Sequence, residues 1–344
     1  MKSLPIFILT TACIFGAISC SKKSDQYTLN GNFDESENGA SVLIISMSSG
    51  DTIARDTIRN GKFQIVGEVV TPDLVQVRVG GRSEGQIVLE PGEITLTSEY
   101  VAGTPLNDVI NGWYQKYNAT AAFLQENQND STKLEETMAK YDQLKAYGDS
   151  LMFANMDNPV GANFMINNAY DMNVEELEKA LEEHPSLKNY SKITKILDQK
   201  KLAEETEIGK PYKDFEVTYE GRTTKLSDLM QSDHYTLVDF WASWCGPCRR
   251  EIPVIKEIQK EWGPKGLDVV GVAVWDEPDN TKKAMEDLGI DWPVIIDAGT
   301  IPTDMYGILG IPCIILIGPD GTILSRGLQG DELKESVANA MSKS

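Results

Sequence analysis

The feature that most constrains this chain is a pair of cysteines, Cys245 and Cys248, at the start of a predicted helix. The preceding residues 236–243 (Thr-Leu-Val-Asp-Phe-Trp-Ala-Ser) predict a buried strand that leads into that helix. Unpaired backbone N–H groups and the positive end of the helix dipole both stabilise a thiolate at a helix N-terminus. A strand, a Cys-x-x-Cys turn and a helix in this order predict a reversible dithiol–disulfide site.

The two cysteines have different predicted roles. Cys245 is the predicted nucleophile, because it comes first and should lie at the exposed entrance of the helix, where the dipole acts most strongly. Cys248, one helical turn later, is the predicted resolving thiol that attacks the mixed disulfide and releases the reduced substrate. Gly246 and Pro247 place no cation beside Cys245, which favours a reducing potential.

Asp239 lies inside the hydrophobic strand, six residues before Cys245. A buried carboxyl group without a partner has a raised pKa and can relay a proton to Cys248. A purely structural role is the alternative for this residue.

A Cys-x-x-Cys pair can also bind zinc, but a zinc site needs a second pair of ligands. The further candidate ligands, Cys313, His184 and His234, are scattered along the sequence. We therefore predict no metal site and no cofactor.

Three segments of the chain resemble the thioredoxin family. Residues 238–248 resemble its active-site signature, and residues 310–314 (Gly-Ile-Pro-Cys-Ile) resemble the loop that carries its cis-proline. Residues 271–297 resemble the β/α insertion of the TlpA/ResA branch. The resemblance covers roughly residues 208–344, and it implies an α/β thioredoxin-like domain with a central mixed sheet, flanking helices and that insertion.

The same resemblance implies a substrate-binding surface around the dithiol. Pro312 should follow a cis peptide bond and expose backbone groups to a bound peptide. Cys313 stands where the family usually has threonine, so it is either a small buried side chain or a third thiol that can trap or regulate. The implied substrate-binding residues are Trp244, Gly246, Pro247, Ile311 and Pro312.

The N-terminus predicts export and anchoring. Lys2 precedes an apolar stretch, residues 4–18, that is too short to span a bilayer comfortably, and residues 17–20 (Ala-Ile-Ser-Cys) resemble a bacterial lipobox. We expect residues 1–19 to be a lipoprotein signal peptide, Cys20 to carry lipid, and residues 20–26 to be a tether. The protein would then lie in the cell envelope, facing the periplasm and anchored to the membrane; a plain secretory signal with an incidental cysteine is the alternative.

Three predicted regions follow the tether. Residues 27–102 alternate apolar and polar residues between turns, which predicts an all-β, sandwich-like module with a hairpin at Asn60-Gly61. Residues 103–206 have helical periodicity, including long helices over 131–156 and 187–205 and a helix capped by Asn173. Residues 207–344 form the thioredoxin-like domain. The β-rich module contains neither cysteine nor histidine; a spacer, a dimer surface and a partner-binding face are all compatible with it.

The predicted activity is thiol–disulfide oxidoreduction on protein disulfides in the bacterial cell envelope. The resemblance implies an upstream membrane electron donor and a role in cytochrome c maturation. A net charge of −20 disfavours nucleic acid as a partner. One alternative is a thiol peroxidase, but Val238 and Ala242 occupy the positions where peroxiredoxins have proline and threonine. The other alternative is a lipid-anchored binding protein with a vestigial redox domain.

Overall fold

The computed structural model of the chain describes residues 25–342. The predicted signal peptide, the candidate lipidation site Cys20 and most of the predicted tether lie outside the described residues. The chain divides into two compact units, one up to Ser150 and one from Leu151 onwards. Within residues 25–342, no helix combines the length and the apolar character needed to cross a bilayer.

The first unit is built from short strands followed by long helices. Its elements are β1 (Gln26–Asn32), β2 (Ser41–Ser46), β3 (Thr52–Thr57), β4 (Lys62–Glu68), β5 (Asp73–Val79), β6 (Arg82–Leu89), β7 (Gly92–Thr97), β8 (Val101–Ala102), α1 (Pro105–Asn127) and the start of α2 (Leu134–Ala154).

The strands form two four-stranded sheets, ordered β4-β1-β7-β8 and β3-β2-β5-β6. Val42 and Ile44 are buried while their neighbours in β2 are more exposed, and Leu29 has the same relation to its neighbours in β1. This alternation gives each sheet one buried face, which is the arrangement expected of a sandwich. The predicted β-rich architecture of this region is confirmed.

The predicted hairpin at Asn60-Gly61 is wrong in its pairing. Both residues have positive φ, as a tight turn requires, and Arg59 forms an isolated bridge with Lys62. However, β3 pairs with β2, whereas β4 pairs with β1 in the other sheet. The turn therefore carries the chain from one sheet to the other instead of joining two paired strands.

The second unit begins with helices and continues into an α/β sheet. Its elements are α3 (Pro159–Asn168), α4 (Val174–Glu183), α5 (Ser191–Glu204), β9 (Glu216–Tyr219), β10 (Arg222–Lys225), β11 (Tyr235–Trp241), α6 (Gly246–Trp262), β12 (Leu267–Ala273), α7 (Pro278–Leu288), β13 (Val294–Ile295), α8 (Ile301–Met305), β14 (Cys313–Ile317), β15 (Ile323–Arg326) and α9 (Gly330–Met341).

The main sheet has the order β13-β12-β11-β14-β15. Strands β11, β12 and β13 are parallel, whereas β14 and β15 are antiparallel to their neighbours. Leu237 of β11 packs in one cluster with residues of α6 and α9, and Val238 packs in another with Phe215 and Tyr306. Both faces of the sheet are therefore covered, and the mixed sheet with flanking helices and the inserted β12–α7–β13 segment agrees with the prediction.

Two predicted helices are shorter than expected. Helix α2 begins at Leu134 after a short 3-10 turn, and Tyr190 separates another 3-10 turn from α5. The cap at Asn173 is confirmed: its side chain accepts from the Glu176 N–H, while the Glu176 side chain accepts from the Asn173 N–H.

The segment directly after α5 is attached to the α/β sheet through partly buried polar contacts. Arg326 at the end of β15 donates to the carbonyl oxygen of Thr206 at 3.2 Å and to the carbonyl oxygen of Tyr306 at 2.6 Å. The predicted domain boundary between residues 206 and 207 thus lies inside the second unit, at a change of secondary structure.

Gly307 supplies a test of this packing. Its φ is +60°, and a Cβ atom there would lie 2.1 Å from the Gln199 carbonyl oxygen and 2.4 Å from the Ala203 nitrogen of α5. We expect Gly307→Ala to lower the free energy of unfolding of the second unit by about 2 kcal/mol or more, since backbone must move. Chemical denaturation measures this loss. Gly310→Ala is the matched control, because a Cβ there meets nothing within 4 Å; equal losses in both variants would contradict the packing.

Candidate active site

Strand β11 and helix α6 meet at the two predicted redox cysteines. Every residue of β11 after Tyr235 is buried, and the strand ends at Trp241, four residues before Cys245. Cys245 has extended backbone and is the N-cap of α6, and Cys248 lies in the first turn of that helix. The two side chains form a disulfide in this structure.

The helix start donates a hydrogen bond to the first sulfur. The backbone N–H of Cys248 points at Cys245 Sγ with an N–S distance of 3.1 Å. In the reduced protein this donor and the α6 dipole would act on a Cys245 thiolate, since both place positive charge at the same end of the helix. The other sulfur receives no comparable donor in the described part of the chain.

The prediction that Cys245 is exposed is wrong for this disulfide form. The residue is only 3% exposed. Its sulfur lies 3.8 Å from the carbonyl oxygen of Ile311, which approaches from the loop before β14. The sequence could not indicate this burial, because Ile311 is 66 residues away along the chain.

The loop before β14 contains the predicted cis-proline, since the Ile311–Pro312 peptide bond is cis. Cys313, the first residue of β14, pairs with Phe240 of β11 and is buried as a free cysteine. Burial raises the pKa of the Cys313 thiol to about 11, so this thiol is protonated at neutral pH.

Asp239 is the buried acid of the site. It is 1% exposed, and neither carboxylate oxygen has a hydrogen-bond partner among residues 25–342. Burial, together with the charge of Glu251, raises the pKa of this carboxyl from 3.8 to about 7. Asp239 pairs with Gly271 in β12, so no lysine stands opposite it there.

Glu251 is a buried acid of the site that is not among the residues predicted from the sequence. This residue lies one turn after Cys248 on α6 and is only 7% exposed. Its Oε1 accepts a hydrogen bond from the Gly330 backbone at 2.7 Å. The available signal in the sequence was a glutamate on the same helix face as Cys248 and next to Ile252, which indicates burial. Its hydrogen bond to Gly330 could not be predicted, because that contact depends on the tertiary fold.

The surface around the disulfide is formed by an exposed aromatic ring and by exposed residues of the Cys-x-x-Cys turn. Trp244 is 62% exposed, and its indole N–H donates to the Trp275 carbonyl oxygen at 2.9 Å. Gly246 and Pro247 are also exposed. Trp241, by contrast, is fully buried and packs with Cys245 and Cys248.

Two family models match separate parts of the chain. Residues 208–326 match the AhpC/TSA family model, and residues 27–110 match a domain of unknown function, DUF4369. The thiol-disulfide oxidoreductase ResA of Bacillus thuringiensis is 28% identical over 141 residues, which are 41% of this chain and 80% of that protein. The thiol:disulfide interchange protein CycY of Rhizobium leguminosarum is 37% identical over 122 residues, 34% of this chain and 64% of that protein.

The C-terminal part of this chain contains a thioredoxin-like domain that matches the AhpC/TSA family model, and the chain is similar to proteins named thiol-disulfide oxidoreductases. The residues that match the AhpC/TSA model, 208–326, include the disulfide, the cis-proline loop and the buried acid. The C-terminal domain of a thiol-disulfide oxidoreductase from Bacteroides thetaiotaomicron is 27% identical, with 41% of this chain and 99% of that chain covered and a TM-score of 0.37.

The structure also bears on the metal alternative. Within the described residues, no group of three or more histidine, cysteine, aspartate or glutamate side chains is placed to hold a metal ion.

The raised pKa of Asp239 makes a prediction about stability. Between pH 3.8 and about 7 the native state holds a proton that the unfolded state has lost, so stability falls as the pH rises through this range. Asp239→Asn lacks this group. We therefore expect the free energy of unfolding of this variant, minus that of the wild type, to increase between about pH 4 and about pH 7. The increase is roughly 1.4 kcal/mol for each unit by which the pKa of Asp239 differs between the folded and the unfolded wild type.

Urea unfolding of both oxidised proteins across this pH range measures the difference. A constant difference between them would show that the Asp239 carboxyl titrates in the folded protein as it does in the unfolded chain.

Proposed function

We propose that this protein reduces disulfide bonds of proteins through Cys245 and Cys248. The observation that carries the proposal is the position of Cys245 as the N-cap of α6, with the Cys248 N–H directed at its sulfur at 3.1 Å. The helix start stabilises a thiolate at this position, so it is available as a nucleophile near neutral pH.

The proposed reaction has two exchange steps. The Cys245 thiolate attacks one sulfur of the substrate disulfide, which forms a mixed disulfide and releases the other substrate sulfur as a thiolate. Cys248 then loses its proton, attacks Cys245 Sγ and releases the second substrate thiolate. The substrate gains two electrons, and the enzyme is left with the Cys245–Cys248 disulfide.

Asp239 is the proposed acceptor of the Cys248 proton. Its side chain projects from β11 on the same face as Leu237, the face that α6 covers, since alternate residues of a strand share a face. With a pKa of about 7, this carboxyl can take up and return a proton near neutral pH. Glu251 contributes by disfavouring the charged form of Asp239.

The proposed substrate surface surrounds the disulfide. Trp244 offers an exposed ring beside Cys245, while Ile311 brings a backbone carbonyl close to the reacting sulfur. Gly246, Pro247 and Pro312 complete this surface. Cys313 has no role in the proposed exchange, because its buried thiol stays protonated.

The proposed location is the cell envelope. It rests on the signal-like residues 1–19 and on Cys20, which would carry the lipid anchor. A donor in the membrane would return electrons to the oxidised enzyme, and the resemblance to the TlpA/ResA branch favours cytochrome c maturation as the process served.

A peroxidase is the weaker alternative. Val238 and Ala242 stand where the peroxidase pattern has proline and threonine, and both are buried apolar residues. Neither offers a hydroxyl group to a peroxide.

Trapping the mixed disulfide tests the proposal. Cys248→Ser removes the resolving sulfur, so the full chain should accumulate covalent complexes with protein disulfides such as insulin, while the wild type reduces insulin catalytically. Mass spectrometry locates the link, which we expect at Cys245. Cys313→Ser is the matched control and should retain the wild-type rate. Consumption of peroxide with no reduction of insulin would favour the peroxidase instead.

A further inference from the structure

Asp276 is a hydrogen-bonding centre at the corner between β12 and α7. Its Oδ2 accepts from the backbone N–H of Ser243 at 2.7 Å and from Thr281 Oγ1 at 2.8 Å. Its Oδ1 accepts from Ser243 Oγ at 2.8 Å and from the backbone N–H of Glu277 at 3.0 Å. One carboxylate therefore joins the segment before Cys245 to the first turn of α7.

The residue before it has an unusual backbone. Trp275 has φ +55°, a left-handed conformation that is costly for a bulky side chain. In this conformation its carbonyl oxygen accepts the Trp244 indole N–H at 2.9 Å, while its own N–H donates to Gly299 at 3.2 Å. The strained corner thus holds the exposed ring that lies beside the disulfide.

Both sets of contacts converge on Ser243 and Trp244, the two residues directly before Cys245. The carbonyl oxygen of Ser243 also accepts from Arg249 Nη1 of α6 at 3.3 Å. The inserted segment and α6 therefore hold this turn from two directions. Movement of the turn would shift Cys245 relative to the Cys248 N–H, and the strength of that hydrogen bond depends steeply on its geometry.

We propose that Asp276 is a positioning residue for disulfide exchange: by fixing Ser243, it holds Cys245 as the N-cap of α6. This inference rests on the proposed function, since it concerns the same sulfur. It also gives the inserted segment a role in the reaction, because the segment supplies the carboxylate that sets the turn before the nucleophile.

Removal of the Asp276 carboxylate has two opposite expected effects on the pKa of the Cys245 thiol, one from the lost charge and one from the lost positioning of Cys245. Asp276, like the buried Asp239 and Glu251, opposes a negative charge on Cys245, whereas Arg249 and Arg250 favour one. Loss of the negative charge alone would lower the pKa of the Cys245 thiol. Loss of the positioning contacts would raise that pKa, because the helix start would stabilise the thiolate less well.

The experiment measures the rate of Cys245 alkylation by iodoacetamide against pH in the reduced full chain, with the modified peptide identified by mass spectrometry. For Asp276→Ala we expect the titration midpoint to rise by about one pH unit, which is about tenfold less thiolate at pH values well below the midpoint. For Asp276→Asn we expect a midpoint below that of Asp276→Ala, because both variants lose the charge but the amide oxygen still accepts from Ser243. Glu277→Gln, which removes an exposed neighbouring charge, should match the wild type.

An unchanged or lowered midpoint in Asp276→Ala would overturn the positioning role. Circular dichroism checks that each variant folds; if the alanine variant does not, Ser243→Ala decides, because it removes the Ser243 Oγ contact to Asp276 without changing the charge, and an unchanged or lowered midpoint there has the same meaning. A wild-type midpoint equal to that of free cysteine would instead contradict the proposed function, so the two failures are distinguishable.

Discussion

The hydrogen bond from the Cys248 N–H to Cys245 Sγ is the interaction on which the rest of the site depends. It exists because β11 ends at Trp241 and the turn that follows makes Cys245 the cap of α6. The helix must then be held against the sheet, which is done by Ile252, Ile255 and Ile258 packing on Leu237 and its neighbours. The chemistry of one sulfur is therefore determined by the burial of a whole strand and a whole helix face.

The same burial that orders the site also shifts the acids inside it. Asp239 has no hydrogen-bond partner within the part of the chain that the structure describes, and Gly271 stands opposite it in β12. The surrounding apolar residues therefore disfavour its charged form, and Glu251 adds to this effect. An unpaired buried carboxyl group costs stability above its pKa, and a role in proton transfer is a reason to keep it. Cys313 shows the contrasting case, in which burial leaves a thiol protonated.

Local signals in the sequence predicted much of this architecture. The Cys-x-x-Cys pair after a hydrophobic strand located the site, and Asn173 with Glu176 three residues later marked a helix start. Features that depend on distant residues were not predictable in the same way. The turn at Asn60-Gly61 was recognised, but its strands pair with other strands in two different sheets. Ile311 covers Cys245, and Asp276 binds Ser243 from 33 residues away; no local pattern reports such contacts.

The reduction potential of the Cys245–Cys248 couple tests the central claim most directly. The helix start stabilises the Cys245 thiolate, but Gly246 and Pro247 add no further positive charge, so the reduced form is not stabilised strongly enough to make an oxidant. Equilibration of the full chain with glutathione or dithiothreitol buffers should give a potential near the value of about −270 mV found for thioredoxin. A potential well above about −200 mV, toward the roughly −120 mV of the oxidant DsbA, would contradict the account.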